Sequence, residues 1–341
     1  SVIVTSPTVQ LLPMLDSLTR RDGTVRHVRA VRAGNGTVEV REVPSPAGPG
    51  VVVDVRSAGI CGSDLHLIEG TAFPPPPVTL GHEIAGFTED GTAVAIEPFV
   101  PCGHCEPCGR GDENLCERSS AALYGIGLDG GMADRIAVPE RCLVPLPAGV
   151  DVRDASLVEP LAVVVHSLRR SAARPDQRVV VIGGGAIGLC AVAAATARGC
   201  EVALVARHDA QRAAGERLGA TEVTDGGYDL VVEAAGTDSA LATAIELAKP
   251  GATVVIPGIY WGPVTVPGMA MCLKEVSLCP TTLYARTAGG RDIDAAAALL
   301  ATTPVLADTL ITHRFPLDAA AEAFTTAASR DRGAIKVVLE P

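Results

Sequence analysis

Aromatic and basic residues are scarce in this chain, and each shortage restricts what the protein can be. Aromatic side chains make up 3% of the 341 residues, so its cores must be built from aliphatic side chains. Lysine and arginine together number 28, against 39 aspartates and glutamates, which gives a formal net charge of −11. This charge argues against nucleic acid or an anionic membrane surface as a partner.

The chain also lacks a convincing membrane segment or leader. Residues 179–197 (VVVIGGGAIGLCAVAAATA) are uncharged, but three glycines follow a β-branched run and would break a helix near its start. The pattern therefore predicts a buried strand, a tight turn and a buried helix. Residues 1–21 have no basic stretch before their apolar residues and no small-residue cleavage site, so they do not resemble a signal peptide. We expect a cytoplasmic protein, in which disulfides are rare.

Two patterns of hydrophobic residues indicate two domains. Short strands with frequent glycine and proline continue to about residue 150, and apolar strands then alternate with Ala-rich helical segments. Such alternation is typical of a parallel sheet with helices on both faces. Strand-like segments near the C-terminus predict a return to the first domain. We therefore predict an α/β fold divided into an N-terminal extension at 1–27, a β-rich domain at 28–155 and 286–341, and a doubly wound parallel-sheet domain at 156–285.

A glycine loop lies at the predicted turn between the first apolar strand and its helix. Gly183, Gly185 and Gly188 have G-x-G-x-x-G spacing. The first glycine permits the turn, the second lets the backbone approach a pyrophosphate, and the third lets helix and strand pack closely. Ala186 and Ile187 begin the helix, whose N-terminus attracts phosphates. The pattern predicts dinucleotide binding, with a packing cluster of glycines as the alternative.

The end of the next strand indicates which dinucleotide is bound. An NAD site usually has an acidic residue here, which accepts hydrogen bonds from the ribose hydroxyls. In this chain the strand ends in Ala206, Arg207 and His208. Arg207 could bind a 2′-phosphate that a carboxylate would repel, although it could also be an ordinary solvated arginine. The sequence favours NADP(H) over NAD(H).

Four cysteines are concentrated in the segment 101-PCGHCEPCGRGDENLC-116. Cys102, Cys105, Cys108 and Cys116 have the spacing C-x2-C-x2-C-x7-C. Four thiolates suit a closed tetrahedral zinc site with no open position, which is a structural site. An iron–sulfur cluster or a zinc-ribbon binding module are the alternatives, and neither explains the residues that precede this segment.

Several motifs in order resemble the zinc-dependent medium-chain dehydrogenase/reductase family, in its alcohol and polyol dehydrogenase branch. The resemblance covers about residues 28–341. Its motifs are GICGSDLH (59–66), GHEIAG (81–86), the four-cysteine lobe, GGMADRIAVP (130–139), LVEPLAV (157–163), the glycine loop and GAIKVVLEP (333–341). The resemblance implies a GroES-like catalytic domain and a Rossmann coenzyme domain, with two zinc ions per chain.

The resemblance also implies a catalytic zinc site that is open to substrate. Cys61 and His82 would be ligands, a thiolate and an imidazole. The remaining protein ligand varies among family members, so Glu83 and Glu159 are both candidates. A buried, paired carboxylate with no metal role is the alternative for Glu159.

Other residues match positions around that zinc and the cofactor. Ser63 matches the hydroxyl that takes the proton from the alcohol, and His66 matches the outer end of this proton relay. Asp64 matches a carboxylate that orients the ligand histidine. Lys336 matches a basic position near the cofactor phosphates, with a surface lysine as the alternative.

The implied reaction is reversible hydride transfer between a small-molecule alcohol or carbonyl and a nicotinamide. Family members are usually dimers or tetramers, so a homodimer or homotetramer is expected. A zinc-dependent NADPH reductase of an enal or imine would have similar metal sites. A non-catalytic scaffold with one structural zinc would have degraded catalytic ligands, and here they are all present. Tyr124 and Trp261 are candidates for lining the substrate site.

Overall fold

The structure is a computed structural model that describes residues 26–34, 36–46, 49–70 and 77–341. The predicted extension at 1–27 therefore lies outside the described residues, apart from Arg26 and His27. The first described strand begins at His27, one residue before the expected start of the β-rich pattern.

The N-terminal half is rich in short strands, as the sequence predicts. β1 and β2 form an antiparallel hairpin. The later strands join a seven-stranded sheet in the order β15 (Ile311–Pro316), β16 (Lys336–Glu340), β3, β4, β5 and β7, with β6 paired to β3. The strands of this half are β1 (His27–Gly34), β2 (Thr37–Pro44), β3 (Val51–Gly59), β4 (Glu83–Thr88), β5 (Ala93–Ile96), β6 (Arg135–Val138) and β7 (Leu143–Pro145). Two helices, α1 (Gly62–Glu69) and α2 (Glu106–Gly109), interrupt them.

The middle of the chain forms a parallel five-stranded sheet in the order β12-β11-β10-β8-β9. Its strands are β8 (Arg178–Ile182), β9 (Glu201–Val205), β10 (Tyr228–Glu233), β11 (Ala248–Ile256) and β12 (Ser277–Pro280). Its helices are α3 (Val158–Arg170), α4 (Ala186–Ala197), α5 (Asp209–Arg217), α6 (Asp238–Leu247) and α7 (Gly268–Leu273). The strands are apolar on both faces because helices cover the sheet on both sides.

The uncharged segment 179–197 has the predicted strand–turn–helix structure. β8 is buried, the three glycines form the turn, and α4 is a helix of 12 residues with eight of them buried. Nowhere in the described part of the chain is a helix long and apolar enough to cross a membrane.

The C-terminal segment brings the chain back to the first sheet. Its elements are β13 (Arg286–Thr287), β14 (Gly290–Arg291), α8 (Asp292–Thr302), α9 (Val305–Leu310), β15 (Ile311–Pro316), α10 (Ala320–Ala328) and β16 (Lys336–Glu340). β16 pairs antiparallel with β3 and parallel with β15. Residues 311–340 thus complete the sheet from which the GICGSDLH segment emerges.

Candidate active site

A thiol, an imidazole and a carboxyl group meet where β3 ends and β4 begins. Cys61 follows β3 and precedes the first turn of α1, while His82 and Glu83 lie at the start of β4. One ligand atom from each of these three residues lies within 4.8 Å of the others. Gly59 of β3 pairs with Glu83 of β4, and this pairing brings Cys61 close to His82 and Glu83, which lie more than 20 positions later in the sequence.

Asp64 and Ser63 lie on either side of the His82 ring. Asp64 is fully buried in α1, where its Oδ2 accepts a hydrogen bond from the backbone N–H of Cys61 at 2.9 Å. Its Oδ1 faces His82 Nδ1 at 3.5 Å. Ser63 Oγ lies 3.4 Å from the other ring nitrogen, Nε2. Burial disfavours the charged form of the His82 imidazole and by itself lowers its pKa. The neighbouring Asp64 and Cys61 have a larger opposite effect, so the pKa of His82 is raised well above its usual value.

Lys336, which the resemblance places near the cofactor phosphates, is buried, so the alternative of a surface lysine is wrong. Its ammonium group is buried and donates to both carboxylate oxygens of Glu83, at 2.7 and 2.6 Å, and to the carbonyl of Ile60 at 3.1 Å. All three donor protons are therefore directed at the protein interior. A lysine inside the apolar strand IKVVL was the signal that sequence reasoning missed, because a buried lysine requires an acidic partner.

Glu159 is buried in the first turn of α3, next to the same group of charges. Burial raises its pKa to about 7, and Glu83 and Asp64 add to this, while His82 and Lys336 oppose it. The hydroxyl of Tyr284, also buried and lacking a hydrogen-bond partner, faces this carboxyl group. Sequence reasoning did not identify Tyr284, and its position 125 residues after Glu159 gives no local signal.

The residues present fit a divalent metal ion. Three buried carboxyl groups, those of Asp64, Glu83 and Glu159, share one buried lysine, so the pocket has more potential negative than positive charge. A thiol, an imidazole and a carboxyl group are all zinc ligands, and three protein ligands are typical of a catalytic zinc site. His82 Nδ1 and Asp64 Oδ1 face each other at 3.5 Å, and neither has a hydrogen-bond partner among the described residues. Asp64 is therefore placed to orient the ring so that Nε2 would bind the metal.

The four clustered cysteines form a second, separate group. The sulfur atoms of Cys102, Cys105, Cys108 and Cys116 all lie within 4.8 Å of one another, and none is in a disulfide. Two of the sulfur atoms accept hydrogen bonds from the backbone. The N–H of Cys102 donates to Cys116 Sγ, and the N–H of Cys105 donates to Cys102 Sγ, each at 3.3 Å. Such an arrangement suits four thiolates around one metal ion.

The glycine loop leaves space where a phosphate would approach the backbone. Gly183 has a φ of 109°, and a Cβ on Gly188 would lie 1.7 Å from the carbonyl oxygen of Gly183. A Cβ on Gly185 would meet no atom within 4 Å. Gly185 caps α4, so the free N–H groups of Ala186 and Ile187 adjoin this open space. The loop therefore fits a dinucleotide pyrophosphate.

The end of β9 has no carboxylate at the position expected for an NAD site. Ala206 and Arg207 follow the strand, and Arg207 is exposed. The guanidinium of Arg212 donates to the carbonyl oxygens of both residues, at 2.9 and 3.1 Å. Two arginines thus lie at this strand end.

His66 lies further along α1 than the buried cluster. Its side chain is 42% exposed, and its Nδ1 is 3.7 Å from a carboxylate oxygen of Glu69. The structure therefore groups Cys61, Ser63, Asp64, His82, Glu83, Glu159 and Lys336 in one largely buried cluster, while His66, later on the same helix as Ser63 and Asp64, is half exposed. The glycine loop with Arg207, and the four-cysteine lobe, are separate groups.

Comparisons with known proteins agree with both domains. Residues 48–148 match the alcohol dehydrogenase GroES-like domain, and residues 186–302 match the zinc-binding dehydrogenase model. L-galactonate-5-dehydrogenase of Escherichia coli is 31% identical over 88% of this chain and 94% of its own length. D-xylulose reductase A of Aspergillus oryzae is also 31% identical, over 88% and 93%. A zinc-binding dehydrogenase from Sinorhizobium meliloti, solved with NADP bound, is 32% identical and covers 93% of this chain and all of its own, with a TM-score of 0.83.

A GroES-like domain joined to a Rossmann sheet, with a thiol–imidazole–carboxyl cluster, defines an oxidoreductase of the alcohol dehydrogenase type. The chain belongs to the zinc-dependent medium-chain dehydrogenase/reductase family, in the branch that contains the polyol dehydrogenases.

Proposed function

We propose that this chain is a zinc-dependent polyol dehydrogenase that uses NADP(H) and acts on a secondary hydroxyl group of a sugar-derived substrate. The observation that carries the proposal is the buried cluster of Cys61, His82 and Glu83, with Ser63 directly beside it. The names of the relatives support the substrate class, because one is an L-galactonate dehydrogenase and another a D-xylulose reductase.

Cys61 and His82 would hold the catalytic zinc together with one carboxyl group. Glu83 is the nearer candidate, since it lies within the cluster, but both of its oxygens accept hydrogen bonds from Lys336. Glu159 is the other candidate. Zinc would supply Lewis acidity toward the substrate oxygen, and the nicotinamide would accept or donate the hydride.

The chain's own residues would orient the site and move the proton. Asp64 holds the His82 ring in place, because its two oxygens face the ring and the backbone of Cys61. Ser63 would take the proton of the substrate hydroxyl, and His66, half exposed on the same helix, would pass it to solvent. Burial of the cluster keeps bulk water away from the reacting atoms.

NADP(H) is proposed as the cofactor because of the charge at the end of β9. Arg207 is exposed there, and no acidic side chain replaces Ala206 to repel a 2′-phosphate. A homodimer or homotetramer, a cytoplasmic location, two zinc ions per chain and the domain limits at 28, 156 and 286 remain predictions from the sequence.

The test measures the absorbance of the reduced nicotinamide during turnover. The full chain is assayed with L-galactonate and NADP⁺ or NAD⁺, and with D-xylulose and NADPH or NADH. Cys61→Ser should lower kcat/KM at least about a hundredfold, because Lewis-acid catalysis supplies several kcal/mol. It should also lose one of two bound zinc ions. Cys272→Ser, an exposed cysteine outside both clusters, is the matched control and should change neither quantity.

The outcomes separate the parts of the proposal. Turnover that prefers NAD⁺ would refute the cofactor assignment and leave the reaction standing. Turnover of an enal or imine with NADPH, without reaction of any polyol, would refute the substrate class. Full activity of the Cys61→Ser variant would refute the catalytic zinc site.

A further inference from the structure

A tryptophan from the coenzyme domain lies against the histidine at the solvent end of the predicted relay. The ring centroids of Trp261 and His66 are 4.8 Å apart, and the ring planes are tilted by 43°. His66 belongs to α1 of the catalytic domain, whereas Trp261 belongs to the connection between β11 and α7, residues 257–267. The contact therefore bridges the two domains. Tilted aromatic pairs at about 4.5–7 Å are attractive arrangements.

Hydrogen bonds at both ends hold the 257–267 connection in place. The hydroxyl of Tyr260 donates to Glu233 Oε2 at 2.7 Å, and the N–H of Gly258 donates to the carbonyl of Glu233 at 3.1 Å. At the other end, the N–H of Thr265 donates to Asp238 Oδ2 at 3.2 Å. Glu233 is fully buried at the end of β10. The backbone segment that carries Trp261 is thus anchored to the parallel sheet, while the indole itself is 36% exposed.

Among the described residues, Glu69 is a polar neighbour and Trp261 an aromatic neighbour of the His66 ring. The side chain is 42% exposed, and its polar neighbour is Glu69 on the same helix, at 3.7 Å. That distance is too long for a good hydrogen bond. Without the indole, the imidazole would be free to change rotamer, as half-exposed side chains commonly do.

We propose that Trp261 is a positioning residue that holds the His66 ring in the orientation needed for proton transfer. The proposal rests on the reaction proposed above, in which His66 exports the proton. It adds a residue from the coenzyme domain to a relay that otherwise consists of residues of the catalytic domain.

A double-mutant cycle tests this role in the zinc-loaded full chain. Trp261→Ala should lower kcat about tenfold, since a misplaced acid–base group loses part of its usual effect. KM for the polyol and for NADP⁺ should change less than about threefold. Trp261→Phe keeps a ring against His66 and should restore kcat to within about twofold. In the His66→Gln background, Trp261→Ala should have almost no further effect.

Fluorescence tests the contact independently of activity, because Trp261 is the only tryptophan in the chain. His66→Gln should change the intensity or wavelength of the tryptophan emission. His313→Gln is the matched control, since His313 stacks on Phe315 and should leave the emission unchanged.

Each result supports or overturns the proposal. Unchanged emission in His66→Gln would show that the contact is absent in solution. Additive losses of kcat in the double variant, or a loss confined to KM, would show that Trp261 is only a wall of the substrate site. Absence of any hydride transfer would overturn the proposed function together with this role, whereas additive losses in an active enzyme overturn this role alone.

Discussion

At the scale of single residues, the buried pocket depends on a charge balance that includes Lys336. Glu83 and Lys336 are both buried, and they form a pair in which the ammonium group also donates to a backbone carbonyl. Removing one member of such a pair leaves an uncompensated charge in the interior, which costs far more than the pair itself contributes.

Lys336→Met should therefore lower the free energy of unfolding by about 3–5 kcal/mol. The cause is the Glu83 carboxylate, which would stay buried without its cation. Urea unfolding monitored by circular dichroism measures the change. The double variant Glu83→Gln with Lys336→Met should recover most of the loss, because no unpaired charge remains. A loss below about 1 kcal/mol in the single variant would contradict this account.

At the scale of elements, the turn between β8 and α4 contains glycines with different tasks. Gly188 allows the helix to approach the strand, since a Cβ there would overlap the carbonyl of Gly183. Gly185 has open space beside it, so its lack of a side chain serves the cofactor rather than the fold.

The two glycines should respond differently to alanine. Gly188→Ala should destabilise the fold by about 1–3 kcal/mol or more, because overpacking displaces the backbone. Gly185→Ala should leave the melting temperature unchanged but weaken NADPH binding about tenfold or more. The added methyl group would overlap with the bound cofactor and with no atom of the free protein. Thermal unfolding and titration of NADPH fluorescence measure the two effects. Equal melting temperatures for both variants would refute the distinction.

A second element-scale feature connects α3 to α8. His166 Nδ1 and the guanidinium of Arg169, both on α3, bind the carboxylate of Asp292 at 2.9 Å, and the N–H of Ala285 donates to it at the same distance. Burial alone would raise the pKa of Asp292, but these hydrogen bonds outweigh it and lower the pKa well below its usual value.

Asp292→Asn should cost about 2–4 kcal/mol near neutral pH, because the buried hydrogen-bonded charge pair is broken. The pKa of Asp292 is lower in the folded chain than in the unfolded chain, where it is about 3.9. The Asp292 carboxylate therefore contributes its full stabilisation above the unfolded pKa, and this stabilisation is lost as the pH falls toward the folded pKa. The difference in stability between the natural chain and the variant should therefore be constant above about pH 5 and shrink below about pH 4. Urea unfolding over this range measures it. A difference that stays constant into acid would contradict the pairing.

At the scale of the whole molecule, the two groups of residues that could hold a metal ion have separate surroundings. The four-cysteine lobe packs against Phe99 and Leu123, and it contacts the chain again near residue 282, where Asn114 Nδ2 donates to the carbonyl of Thr282. The catalytic cluster lies between β3, β4 and α3. The two sites should therefore bind metal independently.

Cys105→Ser should remove one zinc ion per chain and lower the melting temperature, because a structural zinc contributes directly to folding. The remaining zinc should stay at the catalytic cluster, and kcat should fall less than about tenfold, since the variant changes no group that contacts the substrate. Metal analysis and steady-state kinetics measure both. Loss of both zinc ions would show that the sites are coupled.

The resemblance to a known family supplied the candidate ligands Cys61, His82, Glu83 and Glu159. Local patterns of the sequence were sufficient to predict the two sheets, the glycine loop and the cluster of four cysteines. Each depends on spacing over a few residues: the G-x-G-x-x-G turn, the four cysteines within sixteen positions, and the alternation of strand and helix. The periodicity of buried residues along a strand or helix, and the residues that begin and end a helix, also extend over only a few positions, so they can be recognised in the sequence.

Only the tertiary structure decided how distant residues combine. Lys336 and Glu83 are separated by 253 positions and meet in a buried ion pair because β3 pairs with both β16 and β4. Tertiary packing also places the hydroxyl of Tyr284 against Glu159 and the indole of Trp261 against His66. Long-range pairings of this kind result from the packing of whole sheets and domains, and no local pattern specifies which of several lysines or aromatic residues will take part.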